Sequence, residues 1–403
     1  MTPEAKEVAT GRVSARVQAL KPSETLALAA RARELKAQGH SIISFAAGEP
    51  DFDTPDDVRE AGIAAIRAGH TRYTAVSGVP ELRQAIAENL KRENGLEYKP
   101  SQIVVSNGAK HAIWNAFLTL LEPGDEVLVP VPYWVTFPEL ARFVGGTPVF
   151  VPARPGSVKV GTQELTRAIT KRSKVLVLNS PNNPSGAVYS REELLAIGEV
   201  VRRHDLYVLS DEIYEQLVFG NARHVSIASL DPELRDRTIV IGGVSKTWAM
   251  TGWRIGFSAA PLDLAEGIER LQSQSASNPS SVSQYAALRA FTGPRDSVRA
   301  MRECFARRRD FVVTRLGAMK GIRLVPPEGA FYAFPDVSER IAKARNGVRD
   351  SAGLSNYLID EAKIVCVPGS AFGMEGHLRI SYAIGDREIE EGLNRLETAL
   401  DRM

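Results

Sequence analysis

Ser245-Lys246-Thr247 follows a short apolar run, Thr238 to Ile241, and the pair Gly242-Gly243. A lysine held at the end of a buried strand is poorly solvated, which lowers its pKa and frees the amine to form a Schiff base. Taken alone, such a lysine is as simply a solvated surface residue. Its company matters: Arg254 lies eight residues on, within Met250-Thr251-Gly252-Trp253-Arg254-Ile255-Gly256. A guanidinium clamps phosphate bidentately, and flanking glycines let backbone approach closely. Ser106-Asn107-Gly108-Ala109-Lys110 joins another apolar run to a helical pattern starting near His111. Small residues there leave backbone N–H groups open to a phosphate.

Asp211-Glu212-Ile213-Tyr214 comes after the run Tyr207 to Leu209. A carboxylate at the carboxyl end of a buried strand sits where α/β sheets bind ligands, and Asp211 there could keep a pyridine nitrogen protonated, making the ring an electron sink. Tyr214 could hydrogen-bond a phenolic oxygen; the plainer readings are a helix-capping Asp and a core Tyr. Asn182-Asn183-Pro184-Ser185-Gly186 is a turn in either case, with the Asn183 amide free to donate to a ring oxygen or a carboxylate. Trp134 could stack on a flat ring or be structural. Arg379, in His377-Leu378-Arg379-Ile380-Ser381-Tyr382, places a guanidinium among apolar neighbours. A half-buried arginine wants an anion, either a substrate carboxylate or an ion-pair partner within the protein.

These residues need a frame to hold them. Apolar, β-branched runs recur at Ile103 to Ser106, Glu126 to Val129, Pro148 to Val151, Lys174 to Leu178, Tyr207 to Leu209, Thr238 to Ile241 and Ile255 to Ser258. Each is bounded by Gly, Pro, Asn or Asp, as buried strands of a mostly parallel sheet are. Helix-period stretches alternate with them, for example Arg191 to His204, so residues 103–260 read as an α/β layer sandwich. The flanks differ. Residues 23–38 form a strong helix with Gly39 as its stop, and residues 302–316 form another. Phe331 to Phe334, Ile364 to Val367 and Leu378 to Tyr382 suggest a smaller mixed sheet. Residues 335–353 are polar and weakly patterned, and read as a surface excursion.

The chain has 403 residues, enough for two or three domains and a substantial core. Its 50 Lys and Arg against 48 Asp and Glu give a formal charge of +2, with no basic block, so nucleic-acid and membrane-surface roles gain no electrostatic support. Two cysteines, Cys304 and Cys366, exclude a disulfide framework, and six scattered histidines show no metal-ligand spacing. No metal is expected. No apolar run reaches the roughly 18–20 residues of a membrane helix, and residues 1–20 lack a signal-type apolar stretch. A reducing cytoplasm is the expected location.

Together these segments resemble the class I, fold-type I aminotransferases that use pyridoxal phosphate, most nearly the 1-beta subgroup of bacterial aspartate aminotransferases. The resemblance runs from about Arg12 to Leu400. It rests on Ala47-Gly48-Glu49-Pro50-Asp51-Phe52, Tyr73, the segment 181–186, Asp211 to Tyr214, Ser245-Lys246, Gly252-Trp253-Arg254-Ile255-Gly256 and Arg379. It implies that Lys246 carries the cofactor as a Schiff base and moves the proton between substrate Cα and the cofactor's aldehyde carbon. Asp211 would pair with the pyridine nitrogen, Tyr214 and Asn183 with the ring oxygen, and Trp134 would stack on the ring. Gly108, Ala109, Lys110, Ser245 and Arg254 would cradle the phosphate, which Tyr73 would reach from a neighbouring subunit, implying a homodimer with shared sites. Arg379 would hold the substrate α-carboxylate, with Trp134 and Asn183 beside it, and Gly48 would touch substrate through its backbone.

The implied reaction moves the amino group of L-aspartate to 2-oxoglutarate; the alternatives are a bifunctional aspartate/prephenate enzyme or a broader aromatic one. Lys110 would take the distal carboxylate, and Lys21 and Thr25 match the N-terminal segment of members that also transaminate prephenate. Gly243 departs from the many relatives that carry a phosphate-binding Ser there. The implied fold is α/β: a three-layer α/β/α large domain with a mostly parallel mixed sheet over residues 58–295, and a smaller α+β domain from residues 1–57 and 296–403. The same fold hosts β-elimination lyases, and aminotransferase-like domains serve as sensors in transcription regulators, which carry a helix-turn-helix domain not evident here.

Overall fold

The computed structural model describes residues 11–22, 24–345 and 347–403; Ser23, the expected start of the N-terminal helix, lies outside them. Seven strands form the central sheet: β1 (Ile103–Ser106), β2 (Glu126–Pro130), β3 (Thr147–Val151), β4 (Ser173–Asn179), β5 (Tyr207–Asp211), β6 (Thr238–Gly243) and β7 (Gly256–Ala259). Their order is β1-β7-β6-β5-β4-β2-β3. Only β7 runs against the rest, antiparallel to both β1 and β6. The seven apolar runs of the sequence are these strands, several of them longer at their carboxyl ends than the apolar patterning suggests. Asn179, Asp211 and Gly243 are polar or small, yet they still pair in the ladder.

Apolar residues on successive strand positions pack into different cores, which is what a sheet covered on both faces requires. Val175, Val177, Val127, Val129, Ile239 and Ile241 join one core with the helices Ala109–Leu120 and Leu262–Gln274. Leu176, Leu178, Leu128 and Val208 join another, beneath the helix Arg191–Arg203. That helix starts at Ser190, whose hydroxyl accepts from the Glu193 N–H while Glu193 reaches back to the Ser190 N–H. Such a cap is worth about 1 kcal/mol. It then buries Leu194, Ile197, Val200 and Val201. The result is three layers, α/β/α.

The flanking segments build a smaller α+β unit. Ile43–Ser44 pairs in parallel with Ile364–Val365, which ties the N-terminal part of the chain to its end. Val367–Pro368, Leu378–Ser381 and Tyr332–Ala333 make an antiparallel trio. The expected mixed sheet is thus two separate pieces. The helices Asp296–Ala318 and Asp386–Asp401 pack over them in one core with Phe45, Phe305, Phe331 and Tyr382. Asp296–Ala318 runs longer at both ends than residues 302–316. The expected surface excursion at 335–353 is largely exposed or half-buried, but it also holds a short helix, Ser338–Lys343, and anchors itself through buried Val337 and Val348. Two valines flanking a polar helix are too sparse a pattern to signal burial from sequence.

Candidate active site

Parallel strands end together on one rim, where open α/β sheets bind ligands. β4 leads from Asn179 into Asn183, β5 from Asp211 into Tyr214, β6 from Gly243 into Ser245 and Lys246, and β1 into Gly108 and the helix Ala109–Leu120. They open on a cavity of about 490 Å³. Gly48, Thr25, Ala109, Lys110, Trp134, Asn183, Asp211, Tyr214, Ser245, Lys246, Arg254 and Arg379 all line it. Gly108 adjoins Ala109 but is not itself among the lining residues, and two further candidates lie elsewhere. Lys21 is exposed and not among the lining residues; its backbone N–H donates to Glu139 Oε2 at 3.0 Å. Tyr73 is 91% exposed and does not face this chain's own cavity.

Lys246 donates from Nζ to the Gly48 carbonyl. Burial, with the Arg254 and Arg379 cations nearby, lowers its ammonium to about 8 against an opposing pull from Glu49. Asp211 is its counterpart. Burial, reinforced by the neighbouring Glu212 charge, pushes its carboxyl up to about 7. Its one hydrogen bond among the described residues comes from the Ile213 N–H at 3.2 Å. That bond closes a local turn; no helix begins here, so the helix-capping reading falls away. A buried carboxylate with no ion-pair partner among the described residues fits a positively charged ring nitrogen.

Arg379 is 2% exposed. It donates to Asn183 Oδ1 and to the Ala46 carbonyl, each at 3.0 Å, and its Nε has no partner among the described residues. No acidic side chain of the described residues pairs with it, so the internal ion-pair reading does not hold. Burial without an anion depresses its pKa. Its charge is thus left for an anion that enters from outside the protein. Asn183 spends its carbonyl on Arg379, while no described residue accepts from its amide nitrogen.

The phosphate side follows the same logic. Arg254 sits in the left-handed region, φ 58°, and donates to the carbonyls of Thr251 at 2.8 Å and Asn107 at 3.5 Å, with no carboxylate partner among the described residues. Gly108 caps the helix Ala109–Leu120 at φ 84°, and a Cβ there would collide with the Arg254 guanidinium. An arginine packed against a bare helix start, with free N–H groups, is a cradle for a phosphate. Gly243 has a steric account of its own. It faces Gly256 across the β6–β7 ladder, and a Cβ would lie 3.0 Å from the Gly256 Cα and the Ile255 carbonyl. Lys110 holds its ammonium 5.0 Å over the Trp134 ring, its pKa lowered by burial and by Arg254.

Behind the site, Glu212 accepts from Ser210 and Ser226, each at 2.7 Å, and meets His224 Nε2 at 3.0 Å. Burial opposes the charge on His224, but Glu212 more than offsets it and holds the imidazole above its ordinary pKa. Glu215 Oε2 takes a bond from Asn94 at 2.8 Å. These three side chains bring ligand atoms within 4.8 Å of one another, yet protein donors already serve both carboxylates.

Sequence reasoning missed Tyr332, whose hydroxyl lies 2.9 Å from that of Tyr214. The run Phe331 to Phe334 reads as a core strand. The one hydroxyl in it, just after Gly329-Ala330, was the available signal.

Residues 40–396 match the family described as aminotransferase class I and II. The chain is 48% identical over 394 residues to a probable aspartate/prephenate aminotransferase of Aquifex aeolicus, covering 97% of this chain and 99% of that one. It is 45% identical to an aspartate aminotransferase of Geobacillus stearothermophilus, with 97% and 98% covered. The crystal structure of the aspartate aminotransferase from Rhizobium meliloti superposes with a TM-score of 0.94 at 41% identity, covering 97% of this chain and 99% of that chain. A lysine of lowered pKa and a buried carboxylate and arginine that form no ion pair among the described residues line one cavity, on a fold shared with these proteins, and the chain belongs to the class I and II aminotransferase family.

Proposed function

We propose that this chain is a pyridoxal-phosphate-dependent aspartate aminotransferase, moving the amino group of L-aspartate to 2-oxoglutarate. The observation that carries this reading is the buried, anion-less Arg379 on the same cavity as Lys246 and Asp211. Bound pyridoxal phosphate supplies an aldehyde for the amine and a ring that accepts the electron pair left when the substrate Cα–H bond breaks. Asp211 keeps the ring nitrogen protonated, Tyr214 and Asn183 donate to the ring oxygen, and Trp134 covers the ring face. Gly108, Ala109, Lys110, Ser245 and Arg254 hold the phosphate. Arg379 takes the α-carboxylate, fixing Cα near Lys246 Nζ, which would move the proton between Cα and the cofactor's aldehyde carbon.

Lys110 takes the distal carboxylate as a point charge, less selective than an arginine fork. The exposed Tyr73 reaches the phosphate of a second copy, making the working form a homodimer. We assign residues 58–295 to the large domain, and 1–57 with 296–403 to the small one, residues 1–10 lying outside the described residues; the pairing of Ile43–Ser44 with Ile364–Val365 supports this division. Two free thiols at Cys304 and Cys366 suit a reducing cytoplasm, and no described helix is long and apolar enough to cross a membrane.

The test is the visible spectrum of the loaded protein. L-aspartate should remove the yellow band of the bound cofactor and 2-oxoglutarate should restore it; a band indifferent to aspartate would refute the substrate assignment. Leu26, Ala29 and Ala32 give the cavity an apolar side that suits a larger acceptor. Prephenate is therefore the second acceptor to try in the same cuvette.

The lowered Lys246 pKa has its own consequence. Uptake of pyridoxal phosphate needs the neutral amine, whose fraction grows as pH rises toward about 8. The uptake rate of the cofactor-free chain should climb about tenfold per pH unit below that value and level off above it. Stopped-flow mixing across this range checks it; a flat profile would contradict the assignment of Lys246 as the capturing amine.

A further inference from the structure

Tyr332 is fully buried on the two-residue strand Tyr332–Ala333. It pairs with Ser381, so Arg379, two residues back on the neighbouring strand, lies diagonally on the same face. The Arg379 guanidinium carbon stands 4.5 Å from the centroid of the Tyr332 ring and 5.2 Å from that of Phe372. The opposite end of Tyr332 is its hydroxyl, 2.9 Å from the Tyr214 hydroxyl, and either oxygen can donate. Tyr332 also lines the cavity. One side chain therefore touches the residue assigned to the cofactor's ring oxygen and the residue assigned to the substrate carboxylate.

We propose that Tyr332 is a positioning residue for both halves of the site: its hydroxyl directs the Tyr214 proton and its ring sets the Arg379 guanidinium. The proposal rests on the aminotransferase reading above. Two hydroxyls can satisfy one bond with a single hydrogen. When Tyr332 donates, the Tyr214 hydrogen is left for the ring oxygen, and a donor that is itself accepting a bond is polarised and strengthened. Arg379 is buried with no carboxylate of its own, so its plane is held by two carbonyl acceptors and two aromatic faces. A cation–π contact attracts the guanidinium without neutralising it, which keeps its charge for an incoming carboxylate.

The two functions separate by substitution. Tyr332→Phe removes the hydroxyl and keeps the ring; Tyr332→Leu removes both. Each holoenzyme is measured twice: the pH midpoint of its visible cofactor band without substrate, and the Kd of maleate, an unreactive dicarboxylate, by perturbation of that band. A weaker donor at the ring oxygen leaves more negative charge there to hold the neighbouring proton, so the midpoint should rise in both variants, by about 0.5–1 pH unit. Maleate affinity should stay within about twofold of wild type in Tyr332→Phe and fall about five- to thirty-fold in Tyr332→Leu. An unchanged midpoint in Tyr332→Phe would overturn the hydroxyl role, and wild-type maleate affinity in Tyr332→Leu would overturn the ring role. Should wild type bind the cofactor yet ignore aspartate, the substrate assignment fails separately, because the midpoint is read without substrate.

Discussion

Lys246→Ala is expected to abolish transamination, with turnover falling about 10⁴-fold or more, since the change removes both the covalent anchor of the cofactor and the base at substrate Cα. The other lysines lining the cavity are engaged elsewhere. Lys36 pairs with Glu388 at 3.7 Å, the Lys110 ammonium lies over the Trp134 ring, and Arg33, Arg254 and Arg379 are guanidinium groups that stay charged. The cofactor itself should still bind without a covalent link, because the Gly108–Arg254 cradle and the Asp211 carboxylate are untouched. Equilibrium dialysis of pyridoxal phosphate, run beside single-turnover kinetics with L-aspartate, separates lost binding from lost chemistry. Retained uptake with no chemistry is the expected result; substantial turnover would refute the role given to Lys246.

The sequence made the central sheet legible because its strands are buried on both faces and read as continuous apolar runs, such as Lys174 to Leu178. It made the cavity legible for a related reason. Asn183, Asp211–Tyr214 and Ser245–Lys246 each follow such a run by a few residues, and parallel strands bring their carboxyl ends to one rim. The less legible parts depend on pairing between distant segments. Tyr332 meets Arg379 only through the register Ser381↔Tyr332, and Gly243 is forced small only by the approach of Gly256. Neither fact is encoded within ten residues of the position it explains. Lys21 and Thr25 stand four positions apart in one motif, yet Thr25 faces the cavity from the helix Glu24–Ala37 while Lys21, before that helix begins, does not.

Arg379→Leu carries the second large expectation, and its interest lies in what should not change. If the guanidinium binds the substrate carboxylate, its loss removes two charge-assisted hydrogen bonds, each worth about 1.5–3 kcal/mol, so kcat/KM for L-aspartate should fall about 10²- to 10⁴-fold. Stability should respond far less. The leucine leaves the Asn183 and Ala46 acceptors unpaired, but it also removes a buried cation for which the protein supplies no anion. These contributions oppose each other, whereas removing one member of a buried ion pair leaves a bare charge and costs about 3–5 kcal/mol. Arg379→Lys tests the geometry within the charge: an ammonium lacks the planar fork that presents two parallel N–H groups to a carboxylate, so it should recover part of the binding but not the wild-type rate. Steady-state kinetics and thermal denaturation of both variants decide the matter. Near-wild-type kcat/KM in Arg379→Leu would move the carboxylate site elsewhere on the cavity, with Lys110 the next candidate.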